Sequence, residues 1–216
     1  GRVEITPEEV DYICAAANTY FAAPIAPADV VWSYAGIRPL FDDRAEKASE
    51  VTRDYALHLD PASAPMLSVY GGKITTYRRL AEQAVDMLAG PLRATGSRWT
   101  SDAPLPGGDI PGADIGAFTA HCAQRYPWLA EWLLRHYVRH YGAELHELLA
   151  GRRSMGDLGE SFGAGLHAAE VAYLTRHEWA RTAEDILWRR TRKGLGVDAS
   201  GVERLRAHLR ARSGRP

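Results

Sequence analysis

"LSVYGGKITTYRRLAEQAVDML", Leu67 to Leu88, holds an apolar run that stops at two glycines, a lysine, and an immediate return to helical spacing. Leu67, Val69 and Tyr70 read as the end of a buried strand. Gly71 and Gly72 permit torsions and close approaches that side chains forbid. Ile74, Tyr77, Ala81, Ala84, Val85 and Leu88 then recur at helical spacing and predict a buried stripe. Thr75 and Thr76 are candidate N-caps, and Gly90–Pro91 predicts the stop. A strand, a glycine turn and a helix start present unpaired N–H groups to an electron-rich ligand. A tight turn of any α/β protein reads the same way.

Working outward, 216 residues suffice for one large domain or two small ones. Net charge is −1, so bulk electrostatics names no partner. Residues 1–90 carry 8 basic and 13 acidic side chains, and residues 91–216 carry 18 and 14. That mild asymmetry allows an anionic partner without arguing for one. Lys47, Lys73 and Lys193 are the only lysines, which marks Lys73 in the turn. Cys14 and Cys122 lack metal-ligand spacing and read as reduced packing residues of a cytosolic protein. No stretch reaches membrane-spanning length and no signal peptide is evident.

Upstream, Thr6-Pro7-Glu8-Glu9 is an N-cap, a helix-starting proline and a capping-box glutamate. They open a helix over 6–21 with Val10, Ile13, Cys14 and Ala17 as its buried stripe. "VVWSYAG" (Val30 to Gly36) and "RDYALHL" (Arg53 to Leu59) predict two strands before the one at Leu67. Three such apolar strands make a sheet too thin to stand alone, so the sheet is expected to be completed by other chain. The Gly/Pro/Ser-rich 90–112 reads as a linker. Beyond it every segment reads helical: 115–126, 127–141, 145–149, 167–175, 182–192 and 198–212. "GRRSMGDLGESFG" reads as a loop. The expected fold class is an α+β portion, residues 1–90, joined by linker 91–112 to an all-α domain, residues 113–216.

Several motifs bear on chemistry. "GGKITT" is not a phosphate loop, because position 67 is Leu and position 74 is Ile where that motif needs Gly and Ser/Thr. No dinucleotide fingerprint follows a strand. Arg38 and Arg53, beside two strands, form a candidate fork for phosphate or carboxylate; pairing with Asp42, Asp43 or Asp54 is the alternative. His136, His140 and Glu144 share a helix face with metal-ligand spacing, but Gly142 and the want of a fourth ligand favour a structural or solvent-exposed face. "WRRTRKG" (Trp188 to Gly194) is expected to be a helix C-terminus with Gly194 as its C′ turn rather than a nucleic-acid patch. No Gly-x-Ser-x-Gly elbow or Cys–His pair offers a nucleophile.

"VVWSYAGIRPL", "TRDYALHL", "LSVYGGKITTYRRLAEQAVDML" and "HEWARTAEDILWRRTRKGLG" occur in one order along the chain. Together they resemble the carboxy-terminal portion of the bacterial FAD-dependent, quinone-linked glycerol-3-phosphate dehydrogenase family. The resemblance implies oxidation of sn-glycerol 3-phosphate to dihydroxyacetone phosphate, with FAD as hydride acceptor and quinone as electron sink. It implies a glutathione-reductase-like FAD domain, of which residues 1–90 would be part of the FAD and substrate domains. By that resemblance Gly71, Gly72, Lys73, Ile74 and Thr75 border the flavin, and Lys73 and Thr75 also face substrate. Arg38 sits at the substrate's reacting end as a catalytic residue, and Arg53 holds the phosphate. The family's pyrophosphate fingerprint and its active-site histidine lie upstream of residue 1, so the chain is expected to be a piece that is inactive and does not hold FAD alone. A cytoplasmic enzyme peripheral at the inner membrane, a possible homodimer and no nucleic-acid partner are also implied. The competing expectation is a non-catalytic helical interaction module, residues 113–216, serving dimer contacts or docking.

Overall fold

The structure is a computed structural model that describes residues 3–37, 54–62 and 64–213, Ser213 by its backbone only. The chain divides into two compact units, Gly1–Ala103 and Pro104–Pro216. The boundary falls within the Gly/Pro/Ser-rich stretch, and Ile110 packs against the second unit's core.

The first unit opens with helix α1, Pro7–Asn18. Its capping box is formed as the sequence predicts: the Glu9 N–H donates to Thr6 Oγ1 (3.3 Å), and the Thr6 N–H to Glu9 Oε2 (2.8 Å). Only Cys14 of the predicted stripe is buried; Ile13 is exposed. Strands β1 (Tyr55–Asp60) and β2 (Met66–Gly71) pair antiparallel, from Tyr55 opposite Gly71 to Asp60 opposite Met66. The expected strand over 30–36 is absent: residues 30–37 form no ladder, and Val31, Tyr34 and Ile37 are exposed. Alternating apolar residues make a strand only where a partner edge satisfies the backbone, and among the described residues none pairs there.

A short 3₁₀ turn, Ile74–Thr76, leads into helix α2, Tyr77–Leu92. Neither expectation for its ends holds in full. Thr76 stands at the N-cap, but its hydroxyl donates to the Lys73 carbonyl (2.9 Å) instead of capping the helix. At the far end Pro91 lies inside the last turn, and the stop comes at Arg93 in a left-handed conformation (φ 50°, ψ 34°). There Arg93 N–H and Ala94 N–H close on the Gly90 and Ala89 carbonyls at 3.1 and 2.9 Å. Proline sacrifices one internal bond, which a final turn tolerates when the αL residue beyond it closes the carbonyls.

The second unit contains α3 (Ile115–Arg125), α4 (Glu131–Tyr141), α5 (Leu145–Leu148), α6 (Ala168–His177) and α7 (Ala199–Ser213). Four of these lie where periodicity put them; α4 starts four residues after Pro127. The all-α expectation requires correction. β3 (Ser161–Gly163), at the end of the predicted loop, and β4 (Leu166–His167), just before the α6 helix, form an antiparallel hairpin that buried Phe162 and Leu166 anchor. Alternation over so few residues is too short to separate from a loop. Residues Asp185–Arg190 are π-helical, with the Thr191 N–H reaching the Ile186 carbonyl at 3.0 Å. The left-handed residue beyond them is Arg192 (φ 56°), not Gly194. Gly194 lies under the Trp188 ring, where a Cβ would come within 2.4 Å of it. α7 is capped by Asp198, whose Oδ1 accepts the Gly201 N–H at 2.7 Å, and Ser200 only buttresses that carboxylate.

One core fills this unit. Leu133 and Tyr137 of α4, Leu145 and Leu148 of α5, Val171 and Leu174 of α6, Ile186 and Leu205 all have 2% exposure or less. Among the described residues no helix is long and apolar enough to cross a membrane. Both cysteines are free and buried.

Candidate functional site

The strand–turn–helix that the sequence singled out is present. β2 delivers the chain to Gly71 (φ 69°) and Gly72 (φ 97°), both in the region that disfavours a side chain. A Cβ on Gly72 would also press on Tyr55 Cβ at 3.3 Å, so the turn lies tight on β1. Tyr55 in turn reaches α2 through its hydroxyl, which donates to Gln83 Oε1 (2.5 Å). Sheet, turn and helix are thereby held as one piece. Lys73 is extended (φ −115°, ψ 151°), and the first internal bond of the helical stretch is Thr76 N–H to Lys73 O at 3.0 Å. The Ile74 and Thr75 N–H groups precede it and have no intrahelical acceptor. Lys73, Ile74 and Thr75 are exposed, with Ile74 at 85%.

The predicted apolar stripe of α2 is split: Ala84 and Leu88 are half-buried, but its other four members are not. Ile74, Tyr77, Ala81 and Val85 lie on the exposed side, while Leu80, Gln83, Ala84 and Met87 are half-buried. The helix is apolar on two sides and only one has a partner among the described residues. Arg38 and Arg53, the predicted fork, lie outside those residues. Gly71, Gly72, Lys73, Ile74 and Thr75 are brought together in one exposed turn.

A second constellation escaped the sequence reading. Glu170 of α6 is fully buried, and three side chains contact its carboxylate. Lys193 Nζ donates to its Oε2 (2.8 Å), Tyr141 Oη to its Oε1 (2.7 Å), and His136 Nε2 lies 3.0 Å from Oε1. Lys193 also donates to the Gly165 carbonyl at 3.0 Å. Burial pushes the Glu170 carboxyl up, but the His136 hydrogen bond and the Lys193 charge together hold it below the ordinary glutamate value. The Tyr141 hydroxyl is pushed up by burial and by Glu170. His136 thus anchors a buried carboxylate instead of lying on a solvent-exposed face. Its neighbour His140 bonds back to the His136 carbonyl at 3.0 Å, and no metal-holding cluster of His, Cys, Asp and Glu occurs among the described residues. The signal was a charge inside the apolar run "AAEVAYL" matched by the third lysine, but nothing in sequence pairs residues 23 apart.

Above this network lies a cavity of about 550 Å³ lined by His140, Glu144, Tyr173, Glu178, Trp179 and Arg190, among others. Burial raises the Glu178 carboxyl above its ordinary value, with Arg190 opposing. The Tyr173 hydroxyl is pushed up to about 12 by burial and by Glu144. The network ties α4, α6 and the turn at Lys193 together beneath the cavity floor.

Residues 98–210, a stretch that holds nearly all of the second unit, match the family described as the C-terminal domain of alpha-glycerophosphate oxidase. The chain belongs to this family. Similarity extends over the first unit too. The aerobic glycerol-3-phosphate dehydrogenase of Escherichia coli (strain K12) is 43% identical over 205 residues, 94% of this chain and 41% of that protein. The glycerol-3-phosphate dehydrogenase of Pseudomonas aeruginosa is 44% identical over 98% of this chain and 41% of its own length. The D-erythritol 1-phosphate dehydrogenase of Brucella abortus is 47% identical over 90% of this chain and 40% of its own length. The chain therefore spans about two-fifths of these relatives, in their C-terminal portions.

Proposed function

We propose that the chain is the carboxy-terminal part of an FAD-dependent oxidoreductase that converts sn-glycerol 3-phosphate to dihydroxyacetone phosphate. The observation that carries this reading is identity of 43–44% over 94–98% of the chain to two glycerol-3-phosphate dehydrogenases. The turn's geometry supports it. Gly71 and Gly72 leave a face without side chains, and the Ile74 and Thr75 N–H groups beside Lys73, at the start of the helical stretch, suit an electron-rich ring edge. Bound there, FAD would supply the hydride acceptor, and quinone would take the electrons onward at the membrane surface.

This chain's own residues would do the rest. Gly71 and Gly72 would admit the flavin's approach, and the N-terminal end of α2 would stabilise negative charge beside it. Arg53 would grip the phosphate by charge-assisted hydrogen bonds, and Arg38 would hold the oxygen at the reacting carbon. Lys73 and Thr75 would border the substrate. The exposed apolar residues of α2 and of 30–37 would pack on protein outside this chain.

A second reading has its own support. The D-erythritol 1-phosphate dehydrogenase is at least as similar. Both substrates are polyol phosphates that present a hydroxyl and a phosphate, so the same arginines would serve either. The experiment joins the chain to the coding sequence upstream of residue 1 and follows dye reduction. Glycerol 3-phosphate is expected to give the larger kcat/KM; preference for D-erythritol 1-phosphate favours the second reading. In the joined enzyme Arg53→Ala is expected to weaken substrate binding roughly 10-fold to 150-fold. Unchanged affinity would remove the phosphate role, and no reduction with either polyol phosphate would remove the activity.

A further inference from the structure

Trp179 has a backbone that tryptophan rarely adopts and a side chain that the fold does not bury. It follows α6 in the left-handed region (φ 55°), and the Ala180 N–H reaches back to the Leu174 carbonyl at 3.1 Å. That is a helix-closing position where glycine is usual, and any side chain there carries a conformational cost. Burial of the indole would offset the cost, yet Trp179 is 79% exposed.

Beside it lies a cleft of about 450 Å³ lined by Thr175, Arg176, Trp179, Ala180, Arg181, Leu209 and Arg212. Ala180 and Leu209 are buried and form its floor. Arg176, Arg181 and Arg212 all line it, and among the described residues none of the three has a carboxylate partner. Two neighbouring arginines are engaged: Arg190 with Glu178, and Arg206 with Glu184 and Glu203. Arg176 and Arg212 stand in the last turns of α6 and α7, whose C-termini they complement. Two such ends supply about one negative charge between them, so roughly two positive charges remain around a concave wall.

We propose that this cleft binds a phosphate ester that carries a planar ring, a ligand of nucleotide size, at a site separate from the glycine turn. The guanidinium groups hold the phosphate, for which their fork geometry is suited. The ring lies against the exposed indole, since any aromatic base stacks on such a face. The cleft has the size of a small-molecule site and is concave, which distinguishes it from a flat basic surface. It accounts at once for the unpaired charge and for an exposed tryptophan in a strained position.

The test uses AMP, ribose 5-phosphate, adenosine and inorganic phosphate as probes in calorimetric titrations of the full chain at 0.15 M salt. AMP is expected to bind roughly tenfold more tightly than ribose 5-phosphate through stacking, and adenosine to bind least. Arg181→Gln and Arg176→Gln should each weaken AMP and ribose 5-phosphate binding at least about tenfold. Arg135→Gln, which removes an exposed charge on α4, should change neither. Trp179→Gly, which suits the backbone, should abolish the preference for AMP over ribose 5-phosphate while leaving phosphate-ester binding in place. Equal weak binding of all four probes, or the same loss with Arg135→Gln, would overturn the proposal. So would tighter binding of a DNA oligonucleotide or of phosphatidylserine vesicles than of AMP through these arginines, because the surface would then serve a macromolecule or a membrane.

Discussion

The two units of this chain differ in what they bury. In the first, Cys14 is the only buried side chain among the described residues, and Tyr12, Val31, Tyr34, Met66 and Ile74 lie exposed. In the second, Leu133, Tyr137, Leu145, Phe162, Leu166, Val171, Ile186 and Leu205 are all fully buried in one core. Similar proportions of apolar residue thus produce a self-sufficient helical core in one case and an uncovered surface in the other. Apolar patches of that extent mark surfaces that other protein covers. With Cys14 as its one buried side chain among the described residues, the first unit buries little apolar surface to offset the entropy of ordering its chain. The difference teaches that the second unit is shaped by its own packing, while the first keeps its apolar side chains for contacts outside the described residues, which the proposed function assigns to flavin and to other protein.

Hydrogen exchange sharpens that contrast and should show the largest effect. Amides of α4 and α6 are expected to exchange several orders of magnitude more slowly than those of β1, β2 and α2 in the chain alone. Exchange in 55–92 as slow as in 115–192 would break the comparison. Lys193→Ala comes next. It leaves Glu170 buried without its cation, and breaking such a pair costs about 3–5 kcal/mol. The unfolding midpoint of the second unit should fall accordingly while β1–β2 signals stay unchanged.

Gly142→Ala is expected to cost somewhat less. Gly142 has φ 51° and ψ −130°, and a Cβ there would collide with the Gly107 carbonyl oxygen. The backbone strain alone is about 1–3 kcal/mol, to which any displacement of the 104–110 segment adds. The smallest effect is in pH. A carboxyl held below its ordinary value stabilises the fold above that value, and the stability is lost as pH falls through the depressed one. The second unit should therefore begin to lose stability below about pH 4.5, and Glu170→Gln should flatten that acid limb.

Much of this was legible in the sequence for local reasons. The Thr6–Glu9 box, the Gly71–Gly72 turn and the spacing of α3 and α4 are each set by neighbours within four residues. Misreadings arose where long-range partners decide. Residues 30–36 have strand-like alternation but pair with no strand among the described residues, and α2 carries apolar side chains on two sides, so periodicity could not tell which one packs. Phe162 and Leu166 make a hairpin because the core of α6 and α7 receives them. Glu170 and Lys193 meet across 23 residues, a pairing visible only in three dimensions. For the candidate site, the turn residues could be found by pattern, whereas the placement of Arg38 and Arg53 is a matter for the joined enzyme.

Titration of FAD, followed by its fluorescence and visible spectrum, tests the account most directly. On the proposed reading the chain alone offers FAD one strand–turn–helix contact, a few hydrogen bonds at about 1 kcal/mol each, against a cost of several kcal/mol for fixing the cofactor. Affinity is expected to be roughly millimolar or weaker, and to become stoichiometric when the upstream sequence is joined. A yellow protein with one flavin per chain, purified from residues 1–216 alone, would contradict the claim that this chain supplies only one side of the flavin site.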